Sequence, residues 1–434
     1  MTPTYSSRAA LLWWVLIISG ILLPPFALGQ EVAPATEDSL SLSAVYAAVD
    51  AGTPRMVAAR AAARAAAERI GPARRPPDPE LQFGLMNREL PGFGLSDPLG
   101  MYQIQVMQMI PVAGKLGLGA EVERARAAAA EARADETRWE ERSRAAMAFY
   151  EIYAADRSLS LMRESQRLLR DLVRATQSMY AVGNARQADV LRSQVELARM
   201  AEEVVRMEAM RSAAAARLNA VLDRSADYPI PPAAEPPAPS ELPPSDSIVA
   251  LALSRRPMLR AGGQSVQAAD ASERLAGREL WPDLEVGVQY GWRGMEDGTM
   301  HMASVMLGVR VPIWAGSRQK AMRREAAAMR DMAVADLAAM EAETRGRVGE
   351  LVANAARAQR LRELYSGTIL PQAAATTASA MAAYRVGGVD FMTVLDAQMN
   401  VNRYRQAAVV AAAELGRAIA ELEMLSATPL GGVQ

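Results

Sequence analysis

Soft-metal chemistry is the first possibility that the side chains raise. Met300-His301-Met302, with Met295 nearby, combines thioether and imidazole groups, a donor set that suits Cu(I). Against this stands the abundance of methionine, 25 in 434 residues, a side chain that commonly fills irregular gaps or faces polar lumens. Composition removes most other chemistry. With no cysteine there is no disulfide framework, Fe–S cluster, thiol nucleophile or lipid-anchored N-terminal cysteine, and one histidine cannot make a His-rich metal site. No nucleophile, base and orienting group form a catalytic pattern, so neither an enzyme nor a cofactor is expected. Forty-eight basic and 49 acidic side chains leave a net charge of −1, which argues against bulk nucleic-acid binding.

Long helices must carry whatever work the chain does. Alanine, arginine, glutamate and leucine are in excess, and Lys115 and Lys320 are the only lysines. Residues 1–29 read as a secretory signal, with Arg8 in the charged region, an apolar run from Ala9 to Leu23 and a small-x-small site at Ala27-Leu28-Gly29. The run of about 15 residues is shorter than the roughly 20 that a membrane-crossing helix needs, so cleavage near Gln30 is expected. No later segment offers 18 uninterrupted apolar residues. A membrane location after export would therefore require strands.

The mature chain is duplicated. Tyr180-Ala-Val182-Gly183, with Val190-Leu191 and Gln194, returns as Tyr384-Arg-Val386-Gly387, with Val394-Leu395 and Gln398, at a spacing of 204. Ile110-Pro111 returns as Val311-Pro312 at 201, Ala113-Gly114 as Ala315-Gly316 at 202, and both Pro79-Glu-Leu81 and Pro54 recur at 203. The unit of about 200 residues is too long for a solenoid repeat. The expected division is a first repeat at 30–227, a proline-rich connector at 228–246 and a second repeat at 247–434.

Each copy reads as helix, two strands, long helix, shorter helix. Helical runs are expected at 42–72, 115–182 and 186–222, then at 247–279, 318–383 and 388–426, with Pro371 kinking the second long helix. Strands are expected near 79–87 and 101–111, and near 282–292 and 302–312, which leaves Met300-His301-Met302 in a loop. Leu284, Val286, Val288, Tyr290 and Trp292 alternate with Glu285, Gly287, Gln289 and Gly291, the apolar-out pattern of a transmembrane barrel strand. Such a helix reaches about 100 Å at 1.5 Å per residue. Four strands cannot close a membrane barrel, so copies must associate: two give 8 strands with a filled interior, three give 12 and a channel. Taken alone, the helical pattern also fits a solid coiled-coil rod.

The two hairpins ending in Ile110-Pro111 and Val311-Pro312, and Tyr384-Arg-Val-Gly387 followed by Val394-Leu395-Asp396-Ala397-Gln398, resemble the TolC-type outer membrane efflux protein family. Pro79-Glu-Leu81 and Gly114-Lys115 also resemble its heavy-metal efflux branch. The resemblance implies a mostly α fold with a membrane β-barrel portion: a homotrimer whose 12-stranded barrel in outer membrane lipid joins a periplasmic α-helical tunnel. It implies a passive exit duct of a tripartite efflux or type I secretion system, fed by an inner-membrane pump through a periplasmic adaptor, the membrane fusion protein. It further implies that the tips at Tyr180, Val182 and Gly183 and at Tyr384, Val386 and Gly387 meet the adaptor. Asp396 and Asp189 match acidic positions at the tunnel entrance, where three Asp396 copies would repel one another and attract cations. Thr393 stands where a second acidic residue can occur, and Val389 replaces a basic residue that helps to lock the tip around Tyr384. The reading from another class is a periplasmic coiled-coil scaffold or adaptor without a pore.

Overall fold

The computed structural model describes residues 39–86, 100–183, 185–236, 242–295 and 298–430. The expected signal at 1–29 lies outside the described residues, and Ser39–Gln434 is the unit considered from here.

In the first repeat, α1 (Leu42–Asp50) starts where the Ser41 hydroxyl accepts the Ala44 amide at 3.1 Å. Thr53 in the same way accepts the Met56 amide to start α2 (Pro54–Glu68), with Pro54 in the first turn, where a missing donor costs nothing. A short α3 (Ile70–Ala73) leads to β1 (Glu80–Met86) and β2 (Met101–Ile110), followed by α4 (Lys115–Ala181) and α5 (Gln187–Val221). The second repeat has α6 (Ser245–Arg255), α7 (Pro257–Arg278), β3 (Asp283–Met295), β4 (Gly298–Arg310), α8 (Arg318–Leu364), α9 (Leu370–Arg385) and α10 (Phe391–Ser426).

Two expected helices are divided. The run at 42–72 breaks at Gly52-Thr53, and that at 247–279 breaks at Arg256, whose extended backbone precedes Pro257. The second hairpin is longer than expected, so Met300, His301 and Met302 lie in β4 rather than in a loop. The second long helix is not simply kinked by Pro371. Tyr365–Ile369 forms a π-helical turn in which the Leu370 amide donates to the Tyr365 carbonyl, and helix continues beyond it. The repeat spacing explains this turn. Ala145 and Val348 hold equivalent core places at a spacing of 203, whereas Tyr180 and Tyr384 stand at 204. One additional residue falls between them, and widening a single turn absorbs it without rotating the rest of the helix.

The same packing occurs twice. Val45, Val49, Ala145 and Leu218 meet in one core, and Ile248, Ala252, Val348 and Leu422 meet in the other. In each, a short helix and the late helix lie along one long helix. Alanines buried along α4, among them Ala125, Ala129, Ala132 and Ala145, let neighbours approach closely. The tightest approach is at Gly416 of α10, where the Tyr150 ring occupies the space of any side chain.

Two buried ion pairs fasten the repeats together. Lys115, only 6% exposed at the start of α4, reaches Asp283 at 2.9 Å, Glu279 at 3.4 Å and the Trp281 carbonyl at 3.0 Å. Farther along α4, Glu136 is 1% exposed; it accepts the Arg256 guanidinium and the Met258 amide, each at 3.0 Å, while Arg256 also donates to Thr344 at 2.8 Å. Glu136 thus caps α7 of the other repeat.

The strands form one antiparallel sheet in the order β1-β2-β3-β4. The β2–β3 pairing, from Tyr102 opposite Trp292 to Ile110 opposite Leu284, crosses between the repeats. Within the described chain, one edge each of β1 and β4 has no strand partner.

Removing Glu136 strands the half-buried Arg256 guanidinium. Glu136→Ala is expected to destabilise the fold by about 3–5 kcal/mol, and Glu136→Gln, which keeps an acceptor, by less. Denaturant unfolding followed by circular dichroism measures both, and equal stability of Glu136→Ala and wild type would contradict the assignment.

Candidate functional site

The two faces of the sheet differ in kind. Register puts Leu81, Phe83 and Leu85 of β1, Ile104 and Val106 of β2, and the even-numbered residues 284 to 292 of β3 on one side. Val305, Leu307 and Val309 of β4 continue it. Most of these side chains are exposed, Leu307 to 82%, with Ile104, Val286 and Trp292 half-buried, and no helix forms an extensive contact with the sheet. A water-soluble sheet would cover such a face. Aromatic groups bound the apolar band: Tyr102 stacks on Trp292 at 5.8 Å at one end, and Trp281 and Trp314 stand exposed at the other. From Trp281 to Trp292 is about 35 Å along an extended chain, or about 25 Å along the normal at the usual tilt, the height of an outer-membrane barrel's apolar belt. Among the described residues no helix is long and apolar enough to cross a membrane.

Strand geometry also separates the candidate metal ligands. Successive side chains point to opposite faces, so His301 lies on the apolar side, where its Nδ1 is 2.7 Å from the Tyr290 hydroxyl, while Met300 and Met302 lie on the other. The three cannot converge on one ion.

At the far end of the helices are two turns. Gly183 has φ +80° and Gly387 +73°, the left-handed conformation that ends a helix at little cost to glycine. The Gly183 amide donates to the Tyr180 carbonyl and the Gly387 amide to the Tyr384 carbonyl, each at 3.0 Å, and Gly388 adds a bond to the Ala383 carbonyl at 2.8 Å. Just before each glycine is an exposed valine, Val182 at 71% and Val386 at 84%, with Tyr180 exposed beside the first. Tyr384 turns inward instead. Its ring meets Phe391 edge-on at 6.1 Å, and its hydroxyl bonds Thr176 of α4, tying the second turn to the first repeat. Burial pushes the Tyr384 phenol above its ordinary pKa, with the Thr176 bond opposing the shift.

The acidic candidates occupy different settings. Asp189 folds back to accept the Arg186 amide at 3.3 Å, capping α5. Thr393 is held by Asp390, whose carboxylate accepts the Thr393 amide at 3.0 Å and its hydroxyl at 2.5 Å. Asp396 is exposed one turn later, on the same side of α10 as Thr393, with Val394 and Leu395 buried and Leu395 packed against Leu169. The turns therefore bring Thr393 and Asp396 onto one face, and Asp189 remains on the other turn. Sequence reading missed Asp390 and Thr176. Asp390 had a signal, an acidic residue three before Thr393 at the start of an apolar run. Thr176 had none, because only the fold brings it to Tyr384.

The sequence matches the family described as outer membrane efflux protein over residues 45–224 and again over 248–428. The chain belongs to the outer membrane efflux protein family. Solved structures agree in fold. The outer-membrane channel OprN superposes with a TM-score of 0.72 at 20% identity, covering 90% of each chain. The outer membrane protein VceC of Vibrio cholerae gives 0.76 at 16% identity, over 91% of this chain and 97% of that one. The open-state MtrE outer membrane channel of Neisseria gonorrhoeae gives 0.72 at 15% identity, over 91% and 90%. No curated protein sequence matches the chain.

The double family match coincides with the duplicated unit, and the mostly helical fold with a membrane barrel portion is borne out. The protein is an efflux channel of the outer membrane with a periplasmic extension, which sets aside the poreless scaffold.

The bonds from Thr393 hold the Asp390 carboxyl below the ordinary carboxylate range. A depressed folded value means that its contribution to the second turn is complete above the unfolded pKa near 4 and fades as pH falls through the lower folded value. Asp390→Ala is expected to speed amide exchange at Thr393 at neutral pH and to lose this difference from wild type in strong acid. Equal exchange at neutral pH would refute the cap.

Proposed function

We propose that three copies close the sheet edge to edge, β1 of each against β4 of the next, into a 12-stranded barrel whose helices surround a periplasmic tunnel. One observation carries this reading: a sheet with a bare apolar face and two unpaired edges, fused to helices far longer than a small domain needs. Substrate passes without chemistry from an inner-membrane pump, through a periplasmic adaptor, to the outside. In this reading residues 1–29 are a removed leader, 30–227 and 247–434 the repeats and 228–246 the strap between them.

The tips suit the adaptor contact. Val182 and Val386 present small apolar knobs on glycine-ended helices, at equivalent places in both repeats. With Tyr180, Gly183, Tyr384 and Gly387 they give six similar tips around a trimer, each with a surface worth covering. Asp396 and Thr393 face the narrow end of the tunnel, where a threefold ring of Asp396 carboxylates attracts cations, and Asp189 lies at the neighbouring turn.

The natural absence of cysteine makes closure directly testable. Phe83→Cys on β1, combined in turn with Ala303→Cys, Val305→Cys or Leu307→Cys on β4, is expected to give covalent trimers on mild oxidation of outer membranes in at least one pairing. Covalent species that stop at dimers would overturn the trimer. Asp396→Ala is expected to lower cation selectivity in planar bilayers, and unchanged selectivity would remove Asp396 from the entrance.

A further inference from the structure

The face of the sheet opposite the lipid side is unusual for a water-filled lumen. Such interiors are ordinarily polar. Here Gln82, Gln103, Gln105 and Gln289 share the surface with Met101, Met107 and Met109 of β2 and Met300, Met302 and Met306 of β4. Helix packing does not explain them, because no helix lies extensively on the sheet; Met101 is buried over Gly291, whereas Met300 and Met302 stay exposed.

Glycines of β3 gather these thioethers. Gly287 lies opposite Met107 on one side and Met306 on the other. A Cβ at Gly287 would stand 2.7 Å from the Met107 sulfur and 3.3 Å from the Met306 methyl, so both side-chain ends meet in the space that the glycine leaves open. At Gly291, four residues along β3, the arrangement is related but not identical: the β2 partner is Gln103, and the thioether over the glycine reaches across diagonally from Met101. The Met101 sulfur lies 2.8 Å from where a Gly291 Cβ would be, and Met302 is the β4 partner of Gly291. The remaining two thioethers are engaged by guanidinium groups: Arg310 approaches the Met109 sulfur at 3.5 Å and Arg293 the Met300 sulfur at 3.6 Å. Glu285, on the same face, is paired with Arg310 at 2.7 Å.

We propose that the lumen face of the sheet holds two binding sites for a soft monovalent cation, Cu(I) or Ag(I), one formed by Met107 and Met306 over Gly287 and the other by Met101 and Met302 at Gly291. Thioethers are neutral, polarizable donors that select soft cations over Na+, Mg2+ or Ca2+, which prefer hard oxygen ligands. Paired thioethers on flexible stems can close on an ion and release it, as a conduit requires. Two stations about 13 Å apart along β3 offer successive resting places within each protomer. Neither uses His301, which faces lipid. The inference rests on the channel reading, since that reading makes this face a lumen.

The test uses the purified full-length protein with Ag(I), which stays in one oxidation state. Met107→Leu/Met306→Leu and Met101→Leu/Met302→Leu keep apolar volume but remove sulfur, so a merely hydrophobic lumen is unaffected by them. Calorimetric titration with Ag(I) in chloride-free buffer is expected to show each double variant losing binding at one station, by at least about tenfold in affinity. Met322→Leu/Met329→Leu, on α8, is expected to leave those stations intact. Equal stoichiometry and affinity in wild type and both lumen variants would overturn the proposal. So would a silver absorption spectrum of the wild-type complex with oxygen or nitrogen neighbours and no sulfur, a readout independent of any variant. Basal potassium conductance in planar bilayers separates the two levels: a conducting protein whose silver binding ignores the substitutions defeats the sites alone, and a non-conducting wild type defeats the channel itself.

Discussion

Backbone hydrogen bonding in lipid is the constraint on which the rest of this protein depends. Every amide and carbonyl left unpaired in hydrocarbon costs several kcal/mol, so a sheet that ends in two free edges cannot remain a single chain in a bilayer. The four strands are thus a fraction of a barrel, and the long helices are the fraction of a tunnel that comes with it. Internal duplication supplies half of the answer within one chain, since β2 of the first repeat pairs with β3 of the second along their shared length. Association supplies the rest.

Joining two such different halves places an unusual demand on the junction. Lys115 opens the longest helix and lies beside the start of β3, where two carboxylates and a carbonyl surround its ammonium. Such pairs add little net stability over well-packed apolar groups, but they tolerate only one arrangement of the parts. That specificity is what a chain passing from apolar strands to polar helices lacks elsewhere. Lower down, Glu136 does the same between repeats, and small residues set how close the helices come: Gly416 accepts the face of Tyr150 where any side chain would collide. The rods are drawn close by alanine and aligned by charge.

Much of this was legible in the chain itself. The doubled Tyr-x-Val-Gly motif fixes both turns to within a residue, because only glycine enters the left-handed conformation there cheaply. Period-two alternation identifies all four strands and their lipid-facing sides. Strand ends were harder to read: Met300-His301-Met302 looks irregular in sequence, and only pairing with residues 291 to 293 reveals it as strand. The breaks at Gly52 and Arg256 were hidden by helical periodicity on both sides of them, although Thr53-Pro54 and the residue before Pro257 carried the local signals. Contacts such as Tyr384 with Thr176, or thioethers meeting over Gly287, join residues far apart in sequence and have no local pattern at all.

The π-helical turn at Tyr365–Ile369 leaves the two long helices mechanically unequal. An uninterrupted rod of α4's length resists flexure along its whole extent, whereas its counterpart contains one wider loop with a hydrogen bond of different reach, followed at once by a proline that donates none. Bending stress shared by the pair will concentrate at that softer point. Were the pair to bend, the second repeat would yield at this turn while the first stayed straight, a compliant stave beside a stiff one.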